Sequence, residues 1–142
     1  LLWLKTHETV ATPDPQLFID GVDLDYGLRL RHAGFKNYIV PTAVMNHRFG
    51  EPVILRFAQK KKVIQIYSAL RHYYICRNHT YLELSYSQGK NRVRCALKRI
   101  KFAIRNSITI LIFEPRSKLK KLLACMIGTY HGFRGDLSHS WK

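Results

Sequence analysis

Apolar and polar residues follow two different periods along this chain, and the change falls near residue 53. The spacing of Val22, Tyr26, Leu28 and Leu30 predicts an amphipathic helix running to about His32. Asp20 stands at its N-cap, Asp23 at the third helical position of a capping box, and Gly34 at the C′ position that ends it. Phe35–Val40 reads as a strand, Pro41-Thr42 as a turn and Ala43–His47 as a second strand, before Gly50-Glu51-Pro52 breaks the pattern. Beyond that break the period is helical. One long helix is expected over Leu55–Leu84, with a break near Asn78, and another over Arg92–Phe113 after Gly89. The turn Glu114-Pro115-Arg116-Ser117 leads to a last helix, from Lys118 to about Tyr130. The glycine-rich stretch from Gly128 onward is expected to fray, and Leu1–Lys5 reads as the interior of an element. The chain therefore divides into an α/β part, residues 1–53, and a helical extension, residues 54–142.

Charge follows the same division. Of the +15 formal charge over 142 residues, residues 1–51 carry almost none, with five Lys/Arg against six Asp/Glu. Residues 52–142 carry nineteen against three. A basic tail of this kind binds nucleic acid, anionic lipid headgroups or phosphate-bearing substrates, and charge alone does not choose among them. Cys76, Cys95 and Cys125 are an odd number with no CxxC, which argues against a disulfide scaffold or structural zinc and fits a reducing compartment. The most apolar run, Phe102–Phe113, is interrupted by Arg105 and Asn106 and is too short to span a bilayer, and no signal peptide is expected.

Two groups of residues carry candidate chemistry. Asp20, Asp23 and Asp25 crowd the start of the first helix, and the following strands return His47. Carboxylates at a helix N-terminus with a nearby histidine suit acid/base work beside a metal. The competing reading is that the aspartates only cap the helix and complement its dipole. The second group is Arg71-His72-Tyr73-Tyr74-Ile75-Cys76-Arg77-Asn78, in which Tyr73 and Arg77 are i, i+4 neighbours. Aromatic faces beside guanidinium groups suit sugar rings and phosphates. An amphipathic helix packing its tyrosines on a core is the bland alternative.

The order and spacing of Leu17–Gly50 resemble one stretch of the family 2, GT-A-fold glycosyltransferases, in particular the bacterial rhamnosyltransferase-like members. Phe18-Ile19-Asp20-Gly21-Val22-Asp23-Leu24-Asp25 is similar to that subgroup's F-I-D-x-V-D-x-(D/E), and Pro41 to His47 to its P-x-A-x-x-x-H. Asp23-Leu24-Asp25 also looks like the DxD of GT-A enzymes, but that motif ends a strand, whereas this pair opens a helix. The resemblance implies that Asp23 is the general base that deprotonates an acceptor hydroxyl, with Asp25 as its partner and Asp20 as a substrate contact. It implies His47 as a ligand of a divalent metal, Mg²⁺ or Mn²⁺, on the donor diphosphate, and Arg48 as a phosphate contact. Arg71–Asn78 resembles the subgroup's R-x-Y-Y-x-x-R-N, which implies Tyr73, Tyr74, Arg77 and Asn78 as substrate-binding residues. Ile127–Gly135 looks like its C-terminal G-x-x-x-G-x-x-G pattern.

The expected object is thus the C-terminal part of a GT-A domain followed by a basic helical extension. A GT-A enzyme also needs a nucleotide-binding half of alternating strands and helices, and none is found here, so this portion alone is expected to be inactive. The expected reaction is inverting transfer of a rhamnose-like deoxyhexose from a nucleotide-sugar donor to a saccharide acceptor in cell-envelope polysaccharide synthesis. The apolar companions of the basic tail, among them Val93, Leu97, Ile100, Ile104 and Ile108, suit an anionic membrane surface. That fits a lipid-linked acceptor at the inner face of the cell membrane. A nucleic-acid-binding module would explain the charge, but no nucleic-acid motif is evident. A non-catalytic membrane-surface module would leave residues 17–50 idle.

Overall fold

The computed structural model describes residues 6–46, 51–57 and 60–141. Their order is a short helix α1 (Thr6–Thr9), a 3-10 turn (Pro15–Leu17), α2 (Val22–His32), a hairpin of β1 (Glu51–Phe57) and β2 (Lys60–Ile66), then α3 (Ala69–Ser85), α4 (Gly89–Phe113) and α5 (Lys118–Arg134). The described residues are mostly helical, with one two-stranded antiparallel sheet. Leu1–Lys5 lies outside them.

The hairpin replaces the first half of the expected Leu55–Leu84 helix. Glu51 pairs with Ile66 and Phe57 with Lys60, so the strand starts where a break was expected. Val53 and Ile64 pair on the half-buried face, and Ile54 and Val63 pair on the exposed one. The β-branched residues Val53, Ile54, Val63, Ile64 and Ile66 fit a pleated surface better than a helix. Pro52 is tolerated because both strands are sheet edges.

The strands expected at Phe35–Val40 and Ala43–His47 do not form among the described residues, although Pro41-Thr42 does turn, with the Ala43 amide donating to the Val40 carbonyl at 3.1 Å. A strand must satisfy its backbone groups on a neighbouring strand, and none of the described segments pairs with this stretch. Tyr38, Ile39, Val44 and Met45 are consequently exposed.

The core sits where α3, α4 and α5 meet. Ser68 caps α3, its hydroxyl accepting from the Arg71 amide at 3.2 Å. The helix runs unbroken through Asn78. It packs most closely on α5, which presents Ala124, Gly128 and Gly132 as a buried stripe of small residues. A Cβ on Gly128 would lie 2.4 Å from the Tyr73 carbonyl oxygen, and one on Gly132 would lie 2.5 Å from that of Arg77. Only glycine lets the two backbones approach this closely. α5 continues past Tyr130 to Arg134 and stops at Gly135, where the amide of Asp136 donates to the His131 carbonyl. The expected fraying is absent: residues 136–141 fold back, and Trp141 packs on the Tyr73 cluster.

A buried polar network ties the three helices together. Glu114, just after α4, accepts from the His72 ring at 3.1 Å and from the Lys121 ammonium. The amide of Asn106 donates to the other His72 nitrogen at 3.1 Å. That arrangement fits a neutral imidazole with its proton on Nε2, the charge of Glu114 being met by Lys121. Burial pulls the His72 pKa below its usual value, against the upward pull of Glu114.

Candidate functional site

Asp20 sits on a loop whose backbone is held in an uncommon conformation and leads directly into α2, whose first turn carries Asp23 and Asp25. Phe18, Asp20 and Gly21 have φ of 52°, 76° and 84°. Left-handed backbone at two residues that carry a Cβ is costly and persists only where neighbours enforce it. Asn78 does so. Its side-chain amide, fully buried, donates to the carbonyls of Leu17 (2.6 Å), Ile19 (3.2 Å) and Asp20 (2.7 Å). Arg77 fixes Asn78 in turn, its Nε donating to Oδ1 at 2.9 Å. The remaining guanidinium nitrogens donate to the carbonyls of Gln16, Leu137 and His139. Gly21 suits the turn as well, since its φ of 84° strains a residue with a Cβ, and a Cβ there would press on the Leu82 side chain at 3.2 Å.

This corrects the expected helix start. Asp20 does not cap α2; the N-cap is Gly21, and Asp23 is the second helical residue. The carboxylate of Asp20 turns to α3, where it meets His79 Nε2 at 3.0 Å and Arg71 at 3.3 Å. The His79 hydrogen bond, with Arg71 beside it, outweighs burial and holds the Asp20 carboxyl below the ordinary carboxylate value. Asp25 is also committed. It accepts from Arg29 Nε at 2.8 Å and from the Tyr86 hydroxyl at 3.0 Å, and Arg29 reaches on to the carbonyls of Ala11 and Thr12. Burial, helped by the bond to Asp25, pushes the Tyr86 hydroxyl up to about 12, so it stays a donor. Asp23 differs from both: it is exposed at the positive end of α2 and makes no side-chain hydrogen bond among the described residues.

Asp25, Arg29, Tyr81 and Tyr86 line a polar depression of about 370 Å³ with Ala11, Thr12 and Asp14. The other expected substrate residues face inward. Tyr73 and Tyr74 are buried, and Tyr73 donates to the His139 carbonyl at 3.1 Å. Arg77 lies 4.6 Å over the Tyr74 ring. Tyr73, Arg77 and Asn78 thus spend their polar atoms on the chain's own groups, and Arg77 and Asn78 position the aspartate loop. His47 and Arg48 lie outside the described residues.

Two residues of this neighbourhood were not singled out by sequence reasoning. His79 lies eight residues after Arg71, the same face of a helix two turns on, and that spacing was a usable signal. Tyr86 lies just beyond the end of α3, and no pattern marks it. No group of three His, Cys, Asp or Glu side chains among the described residues could hold a metal ion. The Arg71 guanidinium beside Asp20 also disfavours a second cation there. The residue expected to bind the divalent metal, His47, lies outside the described residues.

No family model matches the chain, and no solved structure matches it. Over 133 residues the chain is 30% identical to the dTDP-rhamnosyl transferase RfbF of Shigella flexneri. The alignment takes in 92% of this chain and 42% of that protein, so the chain spans less than half the length of its relative. The likeness is to a portion of a rhamnosyl transferase.

Proposed function

We propose that the chain is the base-bearing, acceptor-side portion of an inverting GT-A glycosyltransferase. It would transfer a rhamnose-type deoxyhexose from a nucleoside diphosphate donor, such as the dTDP sugar of its relative, to a saccharide acceptor. One observation carries the assignment of the base. Of three clustered carboxylates, two are bound to cations and hydroxyls of the chain itself, and Asp23 alone among them is exposed and unpartnered among the described residues. A general base must offer a free lone pair to the acceptor hydroxyl while its own backbone stays fixed. The clamp of Asn78 and Arg77 on residues 16–20 supplies that fixity. The depression beside Asp25, with Tyr81, Tyr86 and Arg29, offers the hydroxyl partners and aromatic faces that a sugar ring uses. No step here is assigned to a metal.

Asp23→Asn, placed in the enzyme with its donor-binding part, is expected to lower kcat by roughly a hundredfold or more, because the amide keeps the shape and loses the proton acceptor. Donor affinity, measured by titration calorimetry, is expected to stay near wild type. Activity within a few-fold of wild type would move the base elsewhere.

A further inference from the structure

The outer face of α4 has no partner among the described residues. Val93, Leu97, Ile100, Ile104, Ile108 and Leu111 form one exposed apolar row at helical spacing, about 27 Å long. Arg94, Lys98, Lys101 and Arg105 each follow a member of that row by one residue, so an exposed basic row runs parallel to it. On the basic side, Lys98, Arg99, Lys101, Phe102 and Arg105 line a cavity of about 160 Å³. The Phe102 ring carries the Arg99 guanidinium at 4.3 Å and that of Arg105 at 5.6 Å, which holds cations around the opening.

Charge decides what such a face can meet. α4 contains Lys90, Arg92, Arg94, Lys98, Arg99, Lys101 and Arg105 and no acidic residue. Of the three carboxylates of residues 52–142, Glu114 is engaged with Lys121 and His72, Asp136 with Ser138 and His139, and Glu83 alone meets α4, pairing with Arg99 at 3.3 Å and with the exposed Lys98 at 3.5 Å. A second copy of the face would set like charges against each other. A nucleic acid would use the basic row and leave the apolar one in water. A bilayer with anionic headgroups satisfies both rows at once, apolar side chains entering the acyl boundary while the cations and the Phe102 cavity meet headgroup phosphates. No helix among the described residues is long and apolar enough to cross a membrane.

We propose that α4 lies on the surface of a bilayer containing anionic phospholipids, docked through these two parallel rows. The proposal stands independently of the transferase reading. It is tested by flotation of the chain with phosphatidylcholine vesicles, with and without phosphatidylglycerol. Two variants are compared: Leu97→Ser, Ile100→Ser and Ile104→Ser together, and Lys98→Gln, Lys101→Gln and Arg105→Gln together. All six side chains are exposed, and circular dichroism checks that the helices remain. Wild type is expected to float only with the anionic vesicles. The glutamine variant is expected to bind about a hundredfold more weakly, and the serine variant more than about tenfold. Absence of flotation with anionic vesicles, or equal flotation with neutral ones, would overturn the proposal. So would anionic binding that the serine variant leaves unchanged. Loss of self-association in the serine variant without vesicle binding would assign the face to a second copy. Duplex DNA binding indifferent to the serine variant, again without vesicle binding, would assign the basic row to nucleic acid.

Discussion

Asn78 serves three carbonyl oxygens with a single amide group, and Arg77 occupies the other end of that amide. Replacing the donor by an acceptor of the same shape turns the three carbonyl contacts repulsive and leaves only the one from Arg77. Asn78→Asp is therefore expected to cost about 3 kcal/mol or more in urea unfolding, and Asn78→Ala somewhat less, since alanine leaves the carbonyls unserved without repelling them. A loss below about 1 kcal/mol for the aspartate variant would show that the loop holds itself. The sequence marked Tyr73, Arg77 and Asn78 as unusual residues but not the direction they face. α3 mixes polar and apolar residues around its circumference, burying His72, Arg77, Asn78 and Thr80 along with Tyr73 and Leu82, so no polar stripe separates surface from interior. Asp23 was singled out through the family resemblance, and its carboxylate stands exposed in the first turn of α2 without a side-chain partner among the described residues.

Helix α5 approaches α3 through glycines, and this sets the tolerance of that interface. Gly128→Ala would push a methyl group into the Tyr73 carbonyl, a backbone atom that cannot swing aside. The expected cost is about 3 kcal/mol by thermal or chemical unfolding, with Gly132→Ala similar because it meets the Arg77 carbonyl and Thr80 together. Wild-type stability in either variant would mean that the helices can separate cheaply. At this scale α4 and the start of α5 were readable from the sequence, since a long amphipathic run and the turn at Glu114–Ser117 are strong signals, whereas the last turn of α5 was missed because its glycines were read as fraying. The hairpin was not. The apolar positions of residues 53–66 satisfy both a helical and an alternating spacing, and only their β-branched composition argues for strands. Residues 35–46 were read as strands from composition that suits a sheet, yet pairing needs a neighbour that composition cannot supply.

Across the whole molecule, His72 joins α3 to α4 and α5 through Asn106, Glu114 and Lys121. Its folded pKa lies below the ordinary 6.5, so the unfolded chain binds the proton more readily. The stability linked to neutral His72 is complete above pH 6.5 and is lost as pH falls from there toward the folded pKa. Unfolding midpoints measured from pH 8 down to 5 are expected to decline below about 6.5, and His72→Gln is expected to flatten that slope. An unchanged slope in the variant would place the titration on another histidine. Arg77 has a different reach: its guanidinium binds Gln16, 61 residues before it, and Leu137 and His139, 60 and 62 residues after it. Closing loops of that length is slow compared with forming helices from local contacts. During refolding the individual helices would therefore take shape early and the carboxylate loop would set later. A chain caught midway would look folded by its helix content while Asp23 still sampled many orientations.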